Sequence, residues 1–149
     1  MSNVFSRQLR VMSPVVVMVL CTSAAATDIG QIKVSNGQVS IERNGRSLPG
    51  SVGSRLEAAD SLATGADGSV GITMNDNTLL SAGPNSILSL DRYEFDSTTH
   101  QGRFDARLKK GTLAVISGTI AKQAPDAMTV RTPAAILGVR GTEFVVKAE

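Results

Sequence analysis

At 149 residues the chain has the length of one domain. Its formal net charge is +2, and Arg7 and Arg10 near the N-terminus account for that excess; the remainder is balanced, without the basic footprint that nucleic-acid binding needs. One cysteine (Cys21) and no tryptophan exclude a disulfide framework or a thiolate metal site and point to a narrow core of Val, Ile, Leu, Ala and Met.

The N-terminus has the layout of a secretory leader. Arg7 and Arg10 precede the apolar run Val11–Leu20, and Thr22-Ser23-Ala24-Ala25-Ala26 supplies small residues for cleavage. The run falls short of the roughly 20 residues of a spanning helix, and Pro14 interrupts it. The expected division is a Sec-type signal peptide over 1–26, cut after Ala26, and one domain over 27–149. This implies a periplasmic or secreted product with no stable membrane span after cleavage; the alternative is a leader retained as an N-terminal anchor. Leu20 before Cys21 argues against a lipoprotein, and the separated arginines argue against a twin-arginine signal.

Beyond the leader the period is two. Ile32 and Val34 alternate up to an Asn36-Gly37 turn, and Val39 and Ile41 alternate up to Asn44-Gly45. Leu56 to Leu62 is the one stretch where a short helical turn fits. Val70, Ile72 and Met74 then alternate with Ser69, Gly71 and Thr73, followed by a turn at Asn75-Asp76-Asn77 and a strand at Thr78-Leu79-Leu80. Gly83-Pro84-Asn85-Ser86 turns again, and Ile87, Leu88 and Leu90 close this block. Tyr93 and Phe95, two apart, share one strand face. Phe104, Ala106 and Leu108 alternate, Gly111 to Gly118 reads as a strand between glycines, and Ile120 to Asp126 as a linker. Nothing after Asp28 sustains a helical period with caps.

The last stretch, Met128 to Val146, runs as strand, corner and strand. Pro133 pushes Thr132 towards extended geometry, and Gly138 and Gly141 bracket Arg140 before Glu143-Phe144-Val145-Val146 resumes the alternation. Arg140, a fixed charge between two bends, suits either a corner-closing bond to carbonyls or bidentate capture of a partner carboxylate.

Thr132-Pro133, Gly138-Val139-Arg140-Gly141-Thr142 and Glu143-Phe144 resemble the closing signature of the FecR domain, found in extracytoplasmic bacterial proteins including iron-uptake regulators. The resemblance extends upstream through Gly111-Thr112-Leu113, Gly83-Pro84-Asn85-Ser86, Asp67-Gly68, Thr64-Gly65 and Asp60, spanning roughly Ile32 to Val146. The regular strand–turn rhythm indicates an all-β fold and suits a β-sandwich, a small barrel or a short solenoid; the resemblance implies a compact β-solenoid or β-sandwich-like domain. Val70, Ile72, Met74, Leu79, Ile87, Leu90, Leu113, Val115, Val130, Ile136, Phe144 and Val146 would then point inward. The family's usual Gly is replaced by Asn77, which tolerates the same left-handed turn.

No catalytic constellation is legible. The only histidine, His100, lies in a polar loop, and the one cysteine leaves with the leader. Asn75-Asp76-Asn77 begins like a calcium loop but lacks its glycine and closing Glu, so it reads as a plain β-turn. Gly65-Ala66-Asp67-Gly68 has no Lys-Ser/Thr to make a phosphate loop. The expectation is a non-enzymatic module without cofactor or metal, docking on envelope proteins in an accessory or signalling role. The regulators it resembles also have a cytoplasmic anti-sigma segment, a membrane span and a further domain, none of which is read here; an accessory role is favoured accordingly. The alternative is a module for envelope polysaccharide or peptidoglycan, using Tyr93 and Phe95 as a stacking pair beside Thr73, Thr78, Ser81, Ser89, Thr112 and Thr129.

Overall fold

The structure, a computed structural model, describes residues 27–139 and 143–149. The leader and the tip of the closing signature (Arg140, Gly141 and Thr142) lie outside the described residues. Twelve strands are described: β1 (Asp28–Asn36), β2 (Val39–Arg43), β3 (Arg46–Pro49), β4 (Arg55–Glu57), β5 (Ser61–Thr64), β6 (Ser69–Met74), β7 (Leu79–Ala82), β8 (Ile87–Phe95), β9 (Gly102–Ile116), β10 (Met128–Arg131), β11 (Ile136–Gly138) and β12 (Glu143–Ala148). A five-residue helix, α1 (Thr119–Gln123), and a 3-10 turn at Pro125–Ala127 join β9 to β10.

The all-β expectation holds, and the strands curl as one mainly antiparallel sheet with two wings. The first wing runs β4-β1-β6-β7-β9-β12 and the second β3-β2-β5-β8-β9-β10-β11. Only the β9–β10 pairing is parallel among those described. The chain therefore folds by hairpins, with no stacking of one rung on the next, and "solenoid" fits it loosely.

β9 joins the wings. Its first half pairs with β8 and β10, its second half with β7 and β12. Phe104, Ala106 and Leu108 are buried in the first half, Leu113 and Val115 in the second, so the inward parity flips between Leu108 and Leu113. The flip comes from a bulge: Leu88 pairs with Leu108 but Ile87 with Lys110, leaving Lys109 extra. Gly111 completes the bend at φ +96°, where a Cβ would overlap Ser86. Only glycine combines that dihedral with that approach.

The apolar faces of both wings meet in one core containing Ile32, Ile41, Leu56, Leu62, Ile72, Leu80, Leu88, Leu90, Phe104, Leu108, Leu113 and Met128, all essentially inaccessible. Asn44, Asn77 and Asn85 adopt positive φ at the expected turns.

Several expectations require correction. Leu56 to Leu62 carries β4 and β5 with no helical turn, whereas the short helix forms in the segment read as a linker, after Gly118. Val34 points outward because a register shift between Ile32 and Val34 breaks the alternation. Leu79 and Ile136, expected inside, are 41% and 66% exposed. For Leu79 the cause is the turn before it: Thr78, drawn inside by Asp76, takes the inward position.

Candidate interaction surface

The outward face of the first wing departs from what a solvated sheet should show. Cross-strand register places Val34, Gly71, Ser81, Ala114 and Val145 in one row, and Thr73, Leu79, Ile116 and Glu143 in the next. The centre of the first row is small, so the larger residues around it form the walls of a shallow concavity of about 300 Å³. Val34, Leu79, Ile116 and Val145 are 51%, 41%, 43% and 66% exposed, and together they form an apolar strip. Gly71 leaves little room of its own: a Cβ there would lie 3.1 Å from Val34 Cβ. The sequence signal was present as adjacent apolar pairs, Leu79-Leu80, Val115-Ile116 and Val145-Val146. A strand apolar on both faces is one that expects cover on both faces.

The domain's buried charges are occupied elsewhere. Asp76 is fully buried in the β6–β7 turn, which sequence alone reads as an ordinary turn. Its Oδ2 accepts from Thr78 Oγ1 at 2.7 Å and from the Ile120 N–H at 3.1 Å, and its Oδ1 from the Tyr93 hydroxyl at 3.1 Å and the Thr78 N–H at 3.3 Å. The Asp76 N–H donates to the same Tyr93 oxygen at 2.8 Å, and the Asp76 carbonyl accepts from the Thr119 N–H at 2.8 Å. One carboxylate thus ties β7, β8 and the start of α1 to its own turn. The fit demands Gly118, whose added Cβ would run into the Asp76 carbonyl and the Thr78 N–H. A local motif shows a turn but not the partner 44 residues away.

Tyr93 is the second member of this network. Its ring stands edge-on to Phe104 with centroids 5.2 Å apart and planes at 78°. Burial, and then the Asp76 charge, push its phenol far above the ordinary range, so it stays neutral. Tyr93 is only 8% exposed and offers no face for stacking a sugar, which corrects the expectation of a Tyr93–Phe95 platform. Phe95 is half-buried against the core. Thr78 and Ser89, placed on the proposed polar surface, are buried as well.

Asp60 closes a second clamp. Arg43 grips it through Nε at 2.9 Å and Nη2 at 2.7 Å, while the Glu57 N–H donates to Asp60 Oδ2 at 2.9 Å. The Arg43 guanidinium also donates to the Arg55 carbonyl and lies 3.1 Å from Glu57. The bond to Asp60 outweighs the cost of burial and holds Arg43 firmly charged.

The closing signature is only partly in view. The Thr132 N–H and hydroxyl donate to the Ala135 carbonyl, at 2.8 and 3.3 Å, closing a turn over exposed Pro133. Gly138 is exposed and pairs with Thr129; Val139 is buried, its N–H on the Met128 carbonyl; Phe144 is half-buried against the core. The structure therefore brings Val139 and Phe144 to the core and leaves Pro133 and Gly138 at the surface. The contact expected of Arg140 lies outside the described residues.

Comparison with protein families matches residues 60–149 to the FecR protein family. The chain belongs to the FecR family. The match begins at Asp60, so the resemblance read from Ile32 onward starts later than expected, and β1 to β4 complete a FecR sheet from outside the matched segment. Searches of curated proteins and of solved structures give no match. FecR proteins form a regulatory family with protein partners rather than a known family of enzymes. Among the described residues no helix is long and apolar enough to cross a membrane, and no three His, Cys, Asp or Glu side chains converge as a metal site.

Proposed function

We propose that this FecR chain is exported by its 1–26 leader, cut after Ala26, and that residues 27–149 act at the cell envelope as a non-enzymatic module binding another protein. The apolar outward face of the first wing is the observation that carries this reading. Uncovered, it leaves Leu79 and Ile116 in water as walls of the concavity, with Val145 exposed farther along the same face. The family's regulatory, partner-dependent character supports it, and the leader's layout supports the envelope location. The burial of Tyr93 favours a protein surface over a glycan. Asp60 and Asp76 hold the scaffold, and docking is left to the sheet.

The experiment is expression of the full chain in a bacterium, with mass measurement of the accumulated product and fractionation of the cells. The reading predicts a product beginning at Thr27 in the periplasm or medium. With an amine-reactive crosslinker added to the intact cells, it also predicts envelope protein adducts that Ser81→Glu abolishes without changing the unfolding midpoint. A cytoplasmic product retaining Met1, or adducts indifferent to Ser81→Glu, contradicts it.

A further inference from the structure

Each wing ends in edge strands, and one edge differs from the rest. β4 and β11 have three residues each, and β3 has four, ending in Pro49. Short strands and proline are the usual protections against edge-to-edge pairing. β12 has six residues, no proline, and β9 as its only pairing among those described. Its other edge offers a row of backbone donors and acceptors to any incoming strand.

The sequence of β12, Glu143-Phe144-Val145-Val146-Lys147-Ala148, narrows what that strand can be. In an antiparallel pairing of two copies of β12, directly opposed residues share a face of the sheet, so only registers that pair outward positions with outward positions are allowed. The outward positions are Glu143, Val145 and Lys147. Centring the pair on Val145 sets Glu143 against Lys147 of the second copy, twice across the two-fold axis, with Val145 against Val145 between them. Phe144 then meets Val146 of the second copy on the inner face. Moving the centre to Glu143 or Lys147 opposes like charges, and moving it to Val146 brings Glu143 opposite Glu149. The register on Val145 matches charge and apolar character together.

We infer that β12 pairs antiparallel with β12 of a second copy about Val145, joining two first wings into one continuous sheet. Val145 is 66% exposed at the end of the row that runs back through Ala114, Ser81 and Gly71. The pairing covers it and carries the apolar strip across the two-fold axis. A six-residue ladder buries less than the roughly 1,200–2,000 Å² of a standard interface, which places the dimer among weak, concentration-dependent ones. This goes beyond the docking reading and does not depend on where the protein resides or which envelope protein it meets.

The test is sedimentation of the purified chain over a range of concentrations, with circular dichroism to confirm folding of each variant. The parent is expected to pass from monomer to dimer as concentration rises. Glu143→Lys or Lys147→Glu alone puts like charges opposite at two places and should weaken the dimer about tenfold or more. The double exchange Glu143→Lys with Lys147→Glu restores opposite pairs and should recover parental affinity. Val145→Cys, in a Cys21→Ser background, should oxidise to a covalent dimer, whereas Ser47→Cys on β3 in that background should not. A parent that stays monomeric at millimolar concentration overturns the inference. So does a dimer indifferent to the single exchanges, or a double exchange no tighter than either single.

Discussion

Replacing Asp76 by alanine tests the claim that the buried carboxylate is a structural clamp. It removes the acceptor for four buried donors: the Thr78 hydroxyl, the Tyr93 hydroxyl and the N–H groups of Thr78 and Ile120. A hydroxyl can turn to another acceptor, but the Ile120 N–H is fixed at the start of α1 and Thr78 N–H within its strand turn. Each orphaned donor costs about 1–3 kcal/mol. With partial rescue of the hydroxyls the loss comes to about 3–5 kcal/mol, a large part of the roughly 5–15 kcal/mol that holds a domain of this size. Asp76→Asn should be milder. Its oxygen can stay with Thr78 Oγ1 and Ile120, while its amide faces the Tyr93 hydroxyl, which can accept. The long Thr78 N–H contact then opposes a donor and the Tyr93 O–H loses its acceptor, for about 2–3 kcal/mol in all. Urea unfolding followed by circular dichroism reads both values from the midpoint at constant slope. An alanine variant within about 1 kcal/mol of the parent, or an asparagine variant worse than alanine, refutes the clamp.

Tyr93 is the only tyrosine and there is no tryptophan, so the phenolate band in the near ultraviolet reports Tyr93 alone. Its folded pKa is raised, so the contribution to stability is fully present below the ordinary value of about 10 and is lost as pH rises beyond it. The band should stay silent near pH 10 and appear only as the fold opens; a smooth titration near pH 10 in folded protein contradicts the burial. Burial pushes Asp105 up, but bonds from Thr129 and Arg103 and the charges of Arg103 and Arg131 prevail and hold it below the usual carboxylate range. Its contribution is present above about pH 4 and is lost as pH falls through the lowered folded value, so Asp105→Asn should flatten the acid limb of stability against pH. An unchanged acid limb would remove Asp105 from the account. Gly111→Ala should cost about 2 kcal/mol or more, from positive φ and the overlap with Ser86, and a neutral result in urea unfolding would mean that β9 bends elsewhere.

The strands were legible because their period of two survives in Ser69–Met74, Phe104–Leu108 and Leu113–Val115, and their turns because Asn44, Asn77 and Asn85 suit positive φ. What escaped lies where alternation breaks. The shift after Ile32 turns Val34 out, and the extra Lys109 lets β9 serve both wings; a bulge has no sequence signature as sharp as a hairpin turn. α1 escaped because five residues are too few to show a helical period, and its first turn is held by the distant Asp76 instead of by the side chain of its own N-cap, Gly118. The aromatic pair misled for a related reason. Tyr93 and Phe95 do share a face, but it is the face that Asp76 and Phe104 close. The outward strip was written in the doubled apolar pairs, and recognising it required knowing which strands lie side by side.

The proposed function places the docking of another protein on the first wing's outward face. A photo-crosslinking residue at Ser81, in the centre of that face, compared in cells with one at exposed Ser47 on β3, tests this most directly. Docking on this face predicts a discrete heteromeric adduct from position 81 that Leu79→Asp removes, and none from position 47. Equal labelling from both positions, or an adduct at 81 that survives Leu79→Asp, would contradict it.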